Sequence, residues 1–173
     1  MTAVETLNEE LEKLRERIEK VKAVLSSVPK ELEKLEEQLR TVSEQLTRKE
    51  EEVLETARKI REKEHEFNEL RHKIKHLRQL MESADSPREY ERLYQERLRL
   101  LERAHRTAEE LQELRKLYEK LREEEHELFV KEQELERKLH KLKREYRGLL
   151  NELRGLTEEL NAKVRELVEK YNL

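Results

Sequence analysis

The chain contains no cysteine and no tryptophan, and it has only two glycines, two prolines and two phenylalanines in 173 residues. Without cysteine there is neither a disulfide framework nor a thiolate metal site. With two isolated glycines there is no glycine-rich phosphate loop, and HExxH and GxSxG are missing as well. Hydrophobic residues make up 34% and aromatics 4%. That is too little for an ordinary globular core at this length. No apolar run approaches the ~20 residues of a membrane span, and none resembles a signal peptide. These absences point to a cytoplasmic, non-enzymatic protein with no cofactor, no metal and no membrane contact.

Charge fills the space that apolar residues leave: 47% of the chain is Asp, Glu, Lys or Arg, with a net charge of −3. So polar a chain would be disordered if its apolar residues were scattered, but they are regularly spaced. Every seventh residue from Val4 to Met81 is apolar, and three residues after each comes Leu7, Leu14 and so on to Ala84. Polar exceptions in this second series are Lys49, Thr56 and Lys63. With the first series at a and the second at d, this is the abcdefg heptad of a coiled coil. A second register follows, with d running from Leu93 to Lys170 and a from Tyr90 to Leu167. It is two residues out of phase with the first, so one continuous helix cannot keep both stripes on one line.

The stretch MESADSPREY at 81–90 supplies the break. Ser86-Pro87-Arg88-Glu89 reads as a capping box with Pro at the first helical position. Pro87 also disfavours helical geometry at Ser86. The expected fold is all-α: a long antiparallel two-helix coiled-coil hairpin over 1–173. Arm one covers 1–84, the tip 85–87 and arm two 88–173, with the turn near 84–88. Each rod-like arm should measure roughly 120 Å at ~1.5 Å per residue. Facing a and d residues then have numbers adding to 174. That register opposes Leu46 to Leu128 and Ile60 to Leu114, and sets Lys49 against Glu125. It leaves Glu132 and Arg97 facing apolar residues, from which they should reach sideways to solvent. It also brings like charges together at g, Glu66 with Glu110 and Lys73 with Arg103. Pro29 should kink arm one at 26–30. Ser26 there faces Gly148, so the level is either a hinge or a plain bend.

Three surface features carry the functional expectations. A basic collar below the tip comprises Arg71, Lys73, Lys75, Arg78, Arg97, Arg99, Arg103 and Arg106. Such a patch suits phosphates or an acidic partner, and a solvated helix face is the plainer alternative. Farther down, Glu50, Glu51, Glu52 and Glu55 lie level with Glu123, Glu124, Glu125 and Glu127 in an acidic band. Apolar residues at e on arm two, Tyr94, Leu101, Ala108, Phe129, Leu150, Val164 and Tyr171, widen the apolar face beyond a two-helix seam. They predict dimerisation into a four-helix assembly or a lateral protein partner. The tip, Asp85, Ser86, Pro87 and Arg88, is the third candidate recognition point. His65, His72, His76 and His105 fall at outward positions and make a weak metal constellation.

RQLMESADSPREYERL at the tip, with SSVPKELEKLEEQL early in arm one, resembles the coiled-coil hairpin proteins that end in a C4 zinc ribbon. That resemblance implies a nucleic-acid-binding or adaptor protein, although the ribbon cysteines are absent here. LTEELNAKVRELVEK at 156–170 is similar to repeats in long archaeal coiled-coil proteins. The function expected from the whole is an adaptor or scaffold that binds protein partners through its tip and lateral stripe. The alternative is a nucleic-acid- or ribosome-associated factor that uses the collar. A third reading inserts the acidic tip, Glu82 and Asp85, into the channel of a larger machine.

Overall fold

The computed structural model describes residues 2–171. It contains two helices, α1 (Ala3–Glu82) and α2 (Pro87–Tyr171), packed against each other as an antiparallel hairpin. Neither is long and apolar enough over any window to cross a membrane. Every a and d residue of α1 is buried or half-buried except Val4. On α2 the exceptions are Tyr90 and Lys170. The heptad spacing therefore determines which stripe is removed from water on each helix.

Both helix starts are capped by side chains. At α1 the Glu5 amide donates to Thr2 Oγ1 at 3.3 Å and the Thr2 amide to Glu5 Oε2 at 3.4 Å, a reciprocal capping box. At α2 the Glu89 amide donates to Ser86 Oγ at 3.2 Å, and the Tyr90 amide makes the first helical bond to the Ser86 carbonyl at 3.0 Å. Helix α1 ends at Glu82, two residues short of the expected Ala84. The Ser83 hydroxyl donates to the Gln79 and Leu80 carbonyls, both at 3.3 Å, and the Ala84 amide turns back to Met81. The orphan carbonyls of the last turn are thus satisfied early, and the turn tightens. This shortening corrects the expectation for Tyr90. It was placed in the seam but is 47% exposed, because it faces Ala84, where α1 no longer offers a helical surface.

The chain divides into two compact units, one formed by residues up to Ser43 and from Val130, the other by Glu44–Phe129. The first has a core of Leu14, Ile18, Val21, Leu25 and Leu156, with Tyr146, Leu149, Leu153 and Leu160 packed on it. Its helix runs through Pro29 without interruption. Pro29 lacks an N–H for the Leu25 carbonyl. The Ser26 and Ser27 hydroxyls donate to the Ala23 and Val24 carbonyls at 2.7 and 2.8 Å just upstream. Glu132, expected to escape to solvent, instead accepts a hydrogen bond from Ser43 Oγ at 2.8 Å. Lys163 at d bonds Glu10 at g.

The second unit is held by a seam that includes Val53, Leu70, Leu93, Ala104, Leu111 and Leu121, with Thr56 and Thr107 buried alongside. The Thr107 hydroxyl is satisfied by the Arg103 carbonyl at 3.0 Å. This back-bond lets a polar residue occupy a buried d position.

Two stability predictions follow from this packing. Leu156→Ala removes a side chain only 4% exposed and should lower unfolding stability by about 2–5 kcal/mol. Leu150→Ala, at an exposed position, should change it by less than about 0.5 kcal/mol. A Cβ at Gly148 or Gly155 would meet nothing within 4 Å, so Gly148→Ala and Gly155→Ala should each stabilise by about 0.5–1 kcal/mol. Urea titration followed by circular dichroism reads all four.

Candidate functional site: a cation-lined groove on the second unit

The seam lysines explain how the second unit tolerates charge in its core stripe. Lys49 at d reaches Glu124 at 2.5 Å and Glu52 at 3.4 Å. Its partner is therefore Glu124 at g and not the expected Glu125, which pairs with Arg122 at 3.7 Å. A lysine leaving a seam flank meets the neighbouring g side chain, whereas the directly opposed a residue points into the stripe. Lys63 behaves alike, reaching Glu110 at 2.7 Å and Glu66 at 3.5 Å. Glu66 also meets Arg103 at 3.7 Å. The like-charge contact expected between Glu66 and Glu110 is thus bridged by a cation. Donation from Lys63 holds the Glu110 carboxyl below its ordinary 4.5, and the same bond holds the Lys63 ammonium above 10.5. The Lys49 bond to Glu124 shifts that pair in the same directions.

The opposite flank, where e positions of the two helices meet, is organised differently. Glu64 at e meets Arg115 at e across the seam, at 3.1 Å. The same register carries the next two e cations of α1, Arg71 and Arg78, to Ala108 and Leu101. Neither can answer a charge. Arg71 lies over the Phe67 ring, 6.0 Å from its centroid, and among the described residues Arg78 reaches only Glu82, at 4.0 Å on its own helix. Lys75 at b has no ion pair among the described residues.

These side chains line one groove of about 600 Å³. Arg71, Lys75, Arg78 and Arg97 form its cationic part, with His72 and Asn68 beside them. Phe67, Ile74, Leu101 and Ala104 form its apolar part. Among the described residues no carboxylate lines it. Arg97, expected to reach sideways to solvent, is half-buried and lines the groove, and its Nε is buried with no hydrogen-bond partner among the described residues. A buried donor left unmatched costs about 1–3 kcal/mol.

The collar of the sequence is therefore two sets of residues. Arg71, Lys75, Arg78 and Arg97 converge on the groove. Arg99 and Arg103 are neutralised by Glu96 and Glu66, and Lys73 and Arg106 do not line the groove. The stripe divides too. In the second unit Tyr94, Leu101 and Phe129 are exposed and Ala108 is half-buried; in the first unit Leu150 and Val164 are exposed and Tyr171 is half-buried. Leu101 belongs to both features, so stripe and collar meet in one place. Phe67, Asn68, Ile74 and Ala104 were not singled out from the sequence. Phe67, Ile74 and Ala104 carry only the seam signal of an a position, and Asn68 at b carries none. The tip residues Asp85, Ser86, Pro87 and Arg88 are all exposed. His65 and His105 each pair with a glutamate one turn on, at 3.1 Å. Among the described residues no three potential metal ligands gather.

The Lys63–Glu110 pair makes a pH prediction. Glu110 titrates below 4.5 when folded, so its share of stability is present above 4.5 and is lost as pH falls through the folded value. Lys63 titrates above 10.5 when folded, so its share is present below 10.5 and is lost as pH rises through the folded value. A double-mutant cycle with Lys63→Ala and Glu110→Ala should show favourable coupling at pH 7. The coupling should vanish once acid protonates Glu110. Equal coupling at both pH values would contradict the assignment.

Compared with protein-family models, curated proteins and solved structures, the chain matches none; what it shares with coiled-coil hairpin proteins is the antiparallel two-helix arrangement itself.

Proposed function

We propose that the protein is a non-enzymatic adaptor or scaffold of the cytoplasm, which works by docking partners on its flank and at its exposed tip. One observation carries this reading: the unpaired cations of the second unit share their groove with an apolar floor. Cations alone would suit any polyanion. Phe67, Ile74, Leu101 and Ala104 beside them suit a protein surface that is both acidic and apolar, because such a surface can desolvate the floor while answering the charge.

The runner-up is a nucleic-acid- or ribosome-associated factor, in keeping with the resemblance of the tip to zinc-ribbon hairpin proteins. Four basic residues in a groove without a carboxylate favour it. The two readings differ in salt dependence. Phosphate contacts release counterions, so binding to nucleic acid weakens steeply with salt, roughly in proportion to the number of contacts.

Binding of total cellular RNA and of purified ribosomes, titrated from low to physiological salt, decides between them. The comparison is wild type against Arg71→Glu/Lys75→Glu/Arg78→Glu. On the docking reading, any RNA binding is weak and the reversal changes it little. Tight, salt-sensitive binding that the reversal abolishes would put the nucleic-acid reading first.

A further inference from the structure

We propose that the cation-lined flank of the second unit is covered by a second copy of the same chain, lying antiparallel across a two-fold axis at the level of residues 62 and 63. This rests on the docking reading and names its occupant.

The flank carries unpaired charge of both signs. Arg71, Lys75 and Arg97 have no ion pair among the described residues, and neither do Glu50 and Glu51. The positive and negative patches sit at equivalent positions. Arg71 and Glu50 are both at e on α1, three heptads apart, and Lys75 and Leu54 are both at b with the same separation. Three heptads span roughly 31 Å along a helix. A two-fold axis midway between such patches joins each to the opposite patch of the other copy. This is what an isologous interface requires: if residue i meets j, then j meets i.

The pairing can be followed residue by residue. The e and b positions of α1 form a second seam, set against the same seam of the second copy running the other way. With the axis between residues 62 and 63, Glu50 meets Lys75 of the second copy and Glu64 meets its Arg61. Arg71 comes over Leu54, which is 67% exposed in the single chain. Each contact is made twice, and no like charges meet along this seam. Sliding one copy by a heptad in one direction sets Arg71 against Arg61. Sliding it the other way removes both charge pairs. Charge thus selects one register among those the helical repeat permits.

On α2 the same axis brings Phe129 of each copy to the level of Tyr94 of the other. These side chains are 49% and 39% exposed in the single chain, so the dimer removes from water apolar surface that the hairpin leaves open. The pairing involves α1 from residue 44 to residue 81, all within the second unit. The two tips then lie on opposite sides of the axis, roughly 68 Å apart at ~1.5 Å per residue. A scaffold of this form presents two recognition points facing away from each other.

A charge swap tests the proposal on the full chain. Arg61→Glu/Lys75→Glu makes one variant acidic along the seam, and Glu50→Lys/Glu64→Lys makes another basic. Neither touches an a or d residue, and circular dichroism reports whether each remains helical. Sedimentation velocity should give wild type twice the 21.2 kDa chain mass. Each variant alone should self-associate about tenfold more weakly or worse, since every charge pair becomes a repulsion made twice. An equimolar mixture of the two should regain the double mass, because all four pairs are restored between unlike copies. A wild-type monomer, a dimer indifferent to both variants, or a mixture that stays monomeric would each overturn the proposal. A wild-type monomer would leave the groove open to another partner, and the docking reading would then stand or fall on the RNA and ribosome titrations.

Discussion

Two apolar stripes, one on each helix, can leave water only by facing each other, and almost every other feature of the structure depends on that contact. A chain with 34% hydrophobic residues has no second core to fall back on. The tip makes the contact intramolecular. Ser86 caps α2, Ser83 satisfies the last carbonyls of α1, and the turn between them sets the residue numbers that face across the seam. Once that register is set, each flank position acquires one neighbour on the opposite helix. The charge pattern then decides whether the neighbour answers it.

The two flanks of the second unit show how different the answers can be. On the g side, Lys63 joins Glu66 and Glu110, and Arg103 adds to Glu66. The carboxylates of Glu66 and Glu110 are answered there within the chain. On the e side, Glu64 finds Arg115, but the next two cations of α1 face Ala108 and Leu101. The physical cause is one of supply. An e position given to an apolar residue on α2 cannot compensate a cation on α1. Such residues therefore leave α1 cations without a partner across the seam, and Leu101 leaves an exposed apolar surface as well. The apolar stripe and the basic collar are two consequences of the same substitutional choice, and they mark the flank from which interaction is proposed.

Polar residues within the seam follow a consistent chemistry. Lysines at d leave the stripe for a glutamate at g of the facing helix: Lys49 for Glu124, Lys63 for Glu110 and Lys163 for Glu10. A long flexible stem allows the charge to reach the rim while the methylenes stay over the stripe. Threonine stays inside by donating to the carbonyl one turn back, as Thr107 does. Arg97 does neither. Its Nε is buried and unmatched, which sets the groove apart from the rest of the second unit's seam.

The sequence by itself determined the helices, their ends at the tip to within two residues, the buried stripes and the antiparallel pairing. All of these rest on local spacing, capping and one turn, and such information lies along the chain. It overextended α1 to Ala84 and so buried Tyr90, because the early satisfaction of carbonyls by Ser83 is a matter of hydrogen-bond geometry. It paired Lys49 with Glu125 and opposed Glu66 to Glu110, because a number register locates backbones and not the direction in which a side chain leaves its helix. Only the tertiary structure decided which four cations of the collar share a groove and that Leu101 lines it. Convergence of that kind depends on the angle at which side chains depart from two helices at once, a quantity that no single helix repeat contains.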